Sequence, residues 1–281
     1  MTWACAVLWC KVVELRHALA LYGRIIAARV RAQLQYRASF AIETAGMFLI
    51  SFLDFVAILV IFSNVPQLGS WSVSEVALLY AISGLSFAFT DLVIGHLDTF
   101  PLLLRDGNFD LMLVRPQGTL FQVITADFQL RRLGKALQAS LVLAFALLTL
   151  DVQWTFDRVL VLLLAIPAGA VIFGAIWVAM ICIAFWSIEG REAANAFTYG
   201  GQFLAQYPIN IYDRWLRRLL AYAIPMAFIA YFPALHILGK QDPLGLPSFL
   251  QVASPAVAVV AAVAALLVWR VAVRHYQSAG G

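Results

Sequence analysis

Hydrophobic residues in this chain come in long blocks. Six stretches, about residues 41–62, 76–97, 134–150, 159–185, 219–238 and 249–269, are almost wholly apolar and are joined by short polar connections. About 20 apolar residues wound as a helix cover a hydrocarbon core of about 30 Å, so each block predicts a membrane-crossing helix. The first block ends at Ser63-Asn64-Val65-Pro66, a run that a helix does not comfortably continue through. Only residues 151–158 separate the third from the fourth, which predicts a tight helical hairpin. The fifth carries Pro225 and Pro233, each expected to kink it and to free a backbone carbonyl. Small residues recur at four-residue spacing in the fourth and sixth, such as Ala170 with Gly174 and Ala258 with Ala262, which lets helices approach closely.

A different pattern precedes the first block. At 100° per residue, Arg16, Arg24, Arg31 and Gln35 share an arc of about 100°, while Leu19, Tyr22, Ile25, Ile26 and Val30 cover much of the opposite side. Residues 14–37 therefore predict an amphipathic elbow helix along the cytoplasmic face, with Arg29 and Arg37 snorkelling from it. Residues 187–218 fit no simple pattern. Glu189-Gly190-Arg191-Glu192 reads as a turn, yet 197–211 is fairly apolar and contains Tyr207-Pro208, which predicts an interfacial or partly inserted helix broken at Pro208. The expected fold is an all-α membrane protein in two parts: residues 1–40, a cytoplasmic segment with the elbow helix, and residues 41–281, a domain of six transmembrane helices.

Composition removes whole classes of function. Of 281 residues 63% are hydrophobic and 12% charged, and the mean hydropathy is +0.88. Soluble domains carry about a quarter charged residues, so a soluble enzyme, a nucleic-acid binder and a disordered chain are excluded. The net charge of +4 acquires meaning from its distribution. With the N-terminus cytoplasmic, 17 of the 19 Lys and Arg fall on cytoplasmic segments and only Arg158 and Lys240 fall outside. Cations on cytoplasmic loops are the main topological signal, so both termini are expected inside. Cys5, Cys10 and Cys182 form no ligand pattern and are read as free thiols, and the apolar first ten residues lack the basic start and cleavage site of a signal peptide.

No catalytic constellation is legible. His17, His96, His236 and His275 are spread over four expected regions, and no H-E-x-x-H or G-x-S-x-G motif occurs; Gly84-Leu85-Ser86-Phe87-Ala88 lacks the second glycine. Gly134-Lys135-Ala136 and Gly239-Lys240-Gln241 lack the Ser or Thr and the upstream glycine of a phosphate-binding loop. The chain is expected to be no enzyme, to hold no metal or cofactor, and to hydrolyse no ATP itself.

Polar residues in apolar surroundings single out three places. Residues 100–116 combine a turn, Arg105-Asp106-Gly107-Asn108, with an amphipathic stretch from Phe109 to Val114, closed by Arg115-Pro116. Its apolar residues need a cover, either lipid headgroups or a cytosolic partner that meets Arg105, Asp106, Asp110 and Arg115. Asp54 lies near the middle of the first block, where a carboxylate needs a partner, water or a proton. A structural ion pair and a place on a cargo path both remain open for it. Asp91, nearer the cytoplasmic end of the second block, suits a hydrogen bond at headgroup level.

Taken together, Gln35-Tyr36-Arg37-Ala38-Ser39-Phe40, Arg105-Asp106-Gly107-Asn108-Phe109-Asp110 with Leu113-Val114-Arg115-Pro116, and Tyr207-Pro208 with the spaced Pro225 and Pro233 resemble the ABC-2 type permease family, in its six-helix subgroup. The similarity runs from about residue 20 to the C-terminus. It implies an exporter subunit in the cytoplasmic (inner) membrane that moves an amphiphilic, lipid, glycan or drug-like cargo. It also implies a second permease, identical or related, and two ATP-binding cassette subunits that bind the ATP and Mg. Under the resemblance, Arg105, Asp106, Gly107, Asp110, Arg115 and Pro116 form the ATPase-coupling loop, and Arg24, Arg31, Tyr36 and Arg37 belong to the elbow helix. Asp54, Asp91, Tyr207, Pro208, Pro225 and Pro233 become candidates for pathway or gating. The alternatives are a transporter driven by an ion gradient, whose embedded carboxylates would couple it, and a non-transporting assembly factor bound to an ATPase.

Overall fold

A computed structural model describes residues 23–277 except 66, 188, 189, 243, 244 and 246. The expectations for Cys5, Cys10, Lys11, Arg16, His17, Leu19, Tyr22, Pro66 and Glu189, and for residues 1–18 as a whole, lie outside the described residues. Among those described, the chain is helical with no strand. In chain order the helices are α1 (residues 23–35), α2 (Arg37–Asn64), α3 (Val73–Ile94), α4 (Phe100–Arg105), α5 (Asn108–Leu113), α6 (Thr119–Ile124), α7 (Leu133–Thr149), α8 (Phe156–Ile181), α9 (Gly190–Ala205), α10 (Arg214–Arg218), α11 (Tyr231–Leu238) and α12 (Ser254–Arg274). Five helical runs are long and apolar enough to cross a membrane: Arg37–Asn64, Val73–Arg105, Leu130–Thr149, Phe156–Phe185 and Ser254–Arg274.

Helix α3 is the centre. It is apolar all round, and such a helix is buried on all sides. Ser72 starts it with a capping box, accepting from the Glu75 N–H while the Glu75 carboxylate accepts from the Ser72 N–H. Helices α7 and α8 flank it, α2 lies against α7, and α12 against α8. Between helices without a hydrophobic drive to associate, packing distance matters most, and glycines set it here. A Cβ on Gly134 would stand 2.2 Å from the Thr44 carbonyl oxygen, so α7 touches the backbone of α2. Gly169 of α8 leaves no more room against Ser86, whose hydroxyl donates to the Ile82 and Ile166 carbonyls. One turn on, Thr90 donates to Ala170 O at 2.8 Å. The outer faces are apolar: α2 buries only Phe55 and Ile58, and Leu148 and Val260 are largely exposed.

The expected fifth span is not one helix. Residues 219–238 wind as a π turn (Leu219–Ala223), a 3-10 turn (Pro225–Phe228) and α11. Pro225 follows Ile224, which proline sterics push into an extended conformation (φ −118°, ψ 107°), and this pair makes a tip rather than a kink. Pro233 sits in the first turn of α11, where its missing N–H leaves no intrahelical bond unmade. Both ends of the segment lie at the same end of α3. Asn210 Nδ2 donates to Gly69 O at 2.7 Å before it, and Lys240 Nζ donates to Ser70 O and to Glu75 Oε2 at 2.9 and 2.7 Å after it. In between, Met226 presses on Gly201 and Ile229 on Gly169. The segment is a hairpin that enters the bundle and returns.

The stretch ahead of it also differs from expectation. Tyr199 of α9 reaches Asp98 near the C-terminal end of α3, and eleven residues later Asn210 reaches Gly69 near its N-terminal end. Helix α9 and the 3-10 turn Ile209–Ile211 therefore run the length of α3, with the break at Pro208. Arg214, Arg217 and Arg218 then move from the basic end, which carries α4 to α6, to the hairpin end. The expected charge partition of 17 to 2 shifts accordingly: among the described residues, 12 cations fall on segments at the basic end and 5 at the hairpin end, still strongly one-sided.

The Gly134 contact is open to a direct test. Gly134→Ala should lower the unfolding midpoint in detergent by the equivalent of about 1–3 kcal/mol, because backbone cannot yield to the added methyl. Gly46→Ala, with nothing within 4 Å of the added carbon, should be neutral or slightly stabilising. Equal midpoints for the two variants would show that α2 and α7 do not meet at Gly134.

Candidate functional site: a buried ion cluster and the α4–α5 segment

Asp91 occupies the last turn of α3 and is 2% exposed. A carboxylate so placed must be paired, and two cations from the start of the next long helix meet it. Arg132 Nη1 lies 2.7 Å from Asp91 Oδ1 and also donates to the Asp91 carbonyl; Lys135 Nζ lies 2.9 Å from Oδ2. Gly95 makes the space, since a Cβ there would coincide with the Arg132 guanidinium. Lys135 also stands over the rings of Phe87 and Tyr199, at 5.5 and 5.9 Å from their centroids, and Trp177 stacks on Phe87. The Tyr199 hydroxyl donates to Asp98 Oδ2 at 2.8 Å. Asp91 with Arg132 and Lys135, and Tyr199 with Asp98, thus join α3, α7 and α9. The hydrogen bond expected of Asp91 is made inside the protein, to Arg132 and Lys135, and Arg132, Lys135, Gly95 and Tyr199 are residues of this cluster that the sequence reading missed. The available signal was an acidic residue closing one apolar block with cations at i and i+3 opening the next.

Asp54 is half-buried on α2 and makes no ion pair with a described residue. Asp54 lies within electrostatic reach of Lys135, Tyr80 and Tyr207, and Lys135 is also a partner of Asp91. Tyr80 donates to Ser51 O at 2.9 Å and to Gln138 Oε1 at 3.3 Å. Pro208 starts the turn just after Tyr207. Pro225 and Pro233 do not join them, because each lines an apolar cavity beside α8.

At the basic end, α4 and α5 meet at Asp106-Gly107. Gly107 adopts φ +70°, a left-handed conformation that suits glycine and lets the chain reverse into α5. Phe109 is the anchor: fully buried, with its ring 5.7, 5.5 and 5.0 Å from those of Phe100, Phe185 and Tyr276. Trp269 of α12 completes the cluster and donates to Thr119. Gln122 ties down the C-terminal end of α5 by donating to Met112 O and Gln117 O. The other side of α5 is open. Leu111, Leu113 and Val114 are exposed, with Arg115 and Pro116 beyond them and an exposed Arg105–Asp106 pair at 3.6 Å. Asp110 is half-buried.

The segment expected to form the elbow helix is attached through residues other than those singled out. Arg24, Arg31, Tyr36 and Arg37 are exposed. Arg29 instead pairs with Asp127 at 2.6 Å and donates to Ala126 O, and Gln33, one turn on, donates to Phe128 O and accepts from the Leu130 N–H. Burial pushes the Asp127 carboxyl up, but hydrogen bonds from Gln129 and the Phe128 N–H, with the Arg29 charge, outweigh it and hold Asp127 below the usual carboxylate range.

Removing one partner from the cluster should be worse than removing the pair. Asp91→Asn is expected to cost about 3–5 kcal/mol by leaving Arg132 and Lys135 facing each other without their carboxylate in a buried site. Combining it with Arg132→Met should restore part of that loss. Unfolding midpoints in one detergent read both, and a double variant no better than the single one would contradict the pairing.

Neither a curated protein nor a solved structure matches the chain. A family model described as ABC-2 family transporter protein matches residues 48–280, which takes in every helix from within α2 through α12, the ion cluster and the α4–α5 segment. Permeases of that family are membrane transport components without a nucleotide-binding domain of their own, in keeping with the missing phosphate loop. The chain belongs to the ABC-2 family of transporter proteins.

Proposed function

We propose that the chain is the transmembrane permease subunit of an ABC-2 exporter in the cytoplasmic membrane, powered by separate ATPase subunits that bind the ATP and Mg. The carrying observation is α5, a short helix with one face pinned by Phe109 and the other presenting Leu111, Leu113 and Val114 between Arg105 and Arg115. An apolar face rimmed by charges on a cation-rich end fits a cytosolic protein partner. In this reading the basic end and both termini are cytoplasmic, and α1 is the elbow. The crossings are α2, α3, α7, α8, α9 with its following turn, and α12, and the hairpin of residues 214–238 enters from the opposite side. A second permease, identical or related, completes the assembly, and the cargo is an amphiphile, lipid, glycan or drug-like molecule.

The same contacts supply a route for motion. Helix α4 continues α3 through the 3-10 turn Gly95–Thr99, and Phe109 presses on Phe185 after α8 and on Trp269 of α12. A push on α5 therefore reaches three long helices through closely packed rings, which favours a rigid-body shift over local bending.

Pulling the chain from its native membrane in mild detergent should recover an ATP-binding cassette ATPase. Leu113→Asp with Val114→Asp should reduce that recovery at least about tenfold, while Leu148→Ser, on an exposed apolar face elsewhere, should not. Recovery of the unaltered chain with no such ATPase would sink the proposal.

A further inference from the structure

The two charges that open α8 stand beside a cavity. Asp157 and Arg158 come directly before the apolar block 159–185, and Trp154 ahead of them is partly exposed, the pattern of a helix that starts at a membrane interface. His236, in the last turn of α11, meets Asp157 with Nε2 3.2 Å from Oδ2. Four residues further on, Lys240 donates to Ser70 O and to Glu75, so this pair lies at the hairpin end. The Asp157 side chain is 62% exposed there. Arg158 is half-buried, with Nη1 donating to Gln153 O and Nη2 beside Gly239, three residues past His236.

Below this pair the lining is apolar. The cavity, of about 260 Å³, has Asp157, His236 and Gln251 at its mouth, and Leu160 and Leu164 of α8, Pro233 of α11 and Pro255 of α12 along its walls. Ser254, which also borders it, is satisfied by donating to Phe228 O at 2.6 Å, so the walls need no water. Along α8 the cavity runs from Asp157 to Ala165, about 12 Å at 1.5 Å per residue, within half of a hydrocarbon core of about 30 Å. Mouth and floor therefore belong to one leaflet. Leu160 and Leu164 are each 43% exposed, so the cavity opens sideways from the bundle. Its volume falls short of the roughly 300–1,000 Å³ of a drug-sized site and suits a length of hydrocarbon chain.

We propose that this cavity holds an acyl chain of a phospholipid with a primary amine headgroup, in the leaflet at the hairpin end, with Asp157 accepting from the ammonium. A carboxylate offers about four acceptor positions, so Asp157 has room for a donor besides His236. An ammonium N–H on a carboxylate is a charge-assisted bond, and Arg158 next to it has guanidinium N–H groups for the phosphate. The adjacent anion and cation thus match a zwitterionic headgroup of the same two charges. A choline headgroup has no N–H to donate, and an anionic headgroup would leave Asp157 unanswered. The lipid would hold the return helix of the hairpin against α8 and the start of α12 from outside. The site lies on the lipid side of the bundle and needs neither cargo nor ATPase.

Native mass spectrometry of the full chain in mild detergent tests this, with phosphatidylethanolamine and phosphatidylcholine of identical chains as probes. Phosphatidylethanolamine should be retained about tenfold better, as one charge-assisted hydrogen bond allows. Asp157→Asn, at an exposed position, should bring it close to the phosphatidylcholine level. Leu164→Trp, which fills the cavity from its open side, should reduce retention of both lipids, whereas Leu163→Trp, 64% exposed and outside the lining, should leave both unchanged. Phosphoethanolamine alone should not displace the bound lipid, because it has no chain. Equal retention of the two lipids, a preference that survives Asp157→Asn, retention unaffected by Leu164→Trp, or displacement by phosphoethanolamine would each overturn the proposal. So would a Leu164→Trp chain that loses a dimer mass while keeping its lipid, since the cavity would then be a contact between copies.

Discussion

The carboxylate of Asp91 has almost no access to solvent, and the arrangement around it follows from the need to balance its charge. Arg132 and Lys135 can reach it only if α7 starts beside the C-terminal turn of α3, and Arg132 fits only because residue 95 has no side chain. Once α7 is held there, Gly134 brings its backbone onto α2. Lys135 in turn needs aromatic faces rather than a second buried anion, and Phe87 and Tyr199 provide them, which draws α9 alongside α3. A single buried charge thus orients four helices, in surroundings where leaving it unpaired would be far more costly than ordering its partners.

A second unit lies at the basic end and is made of rings rather than charges. Phe100, Phe109, Phe185, Trp269 and Tyr276 meet mostly edge to face, the geometry that aromatic pairs favour. The two units share α3, which leads from Asp91 through a 3-10 turn into α4. The ion cluster joins α3 to α7 and α9, and the ring cluster joins its extension to α8 and α12. Motion applied to α5 would enter through the rings and be carried laterally by the charges.

Much of the fold was legible because hydropathy reports helices that face lipid. Helices α2, α7, α8 and α12 have apolar outer surfaces, and their blocks were readable at once. Helix α9 was not, because it lies among other helices and carries Asn195, Thr198, Tyr199 and Gln202, side chains that lower its hydropathy and are at least half-buried. The hairpin was misread in the opposite sense. Residues 219–238 are apolar enough to cross, yet Ile224-Pro225 turns the chain and the segment returns, and sequence length does not encode direction. The reversal between α4 and α5 was legible through its turn signal, Gly107. The ion cluster was found only by half, because Asp91 stood out in an apolar block while Arg132 and Lys135 looked like ordinary flanking cations. Arg29 was read as an exception on an apolar face, and that position is what turns it toward Asp127.

The central claim is that α9 carries the chain through the membrane and that the hairpin starts on the far side, which separates Val114 from Trp215. Single cysteines at these positions, in a chain with Cys5, Cys10 and Cys182 replaced by serine, can be probed with a membrane-impermeant thiol reagent. The account expects Trp215→Cys to be labelled in intact cells and Val114→Cys only after the membrane is opened. Labelling of both from the same side would contradict it.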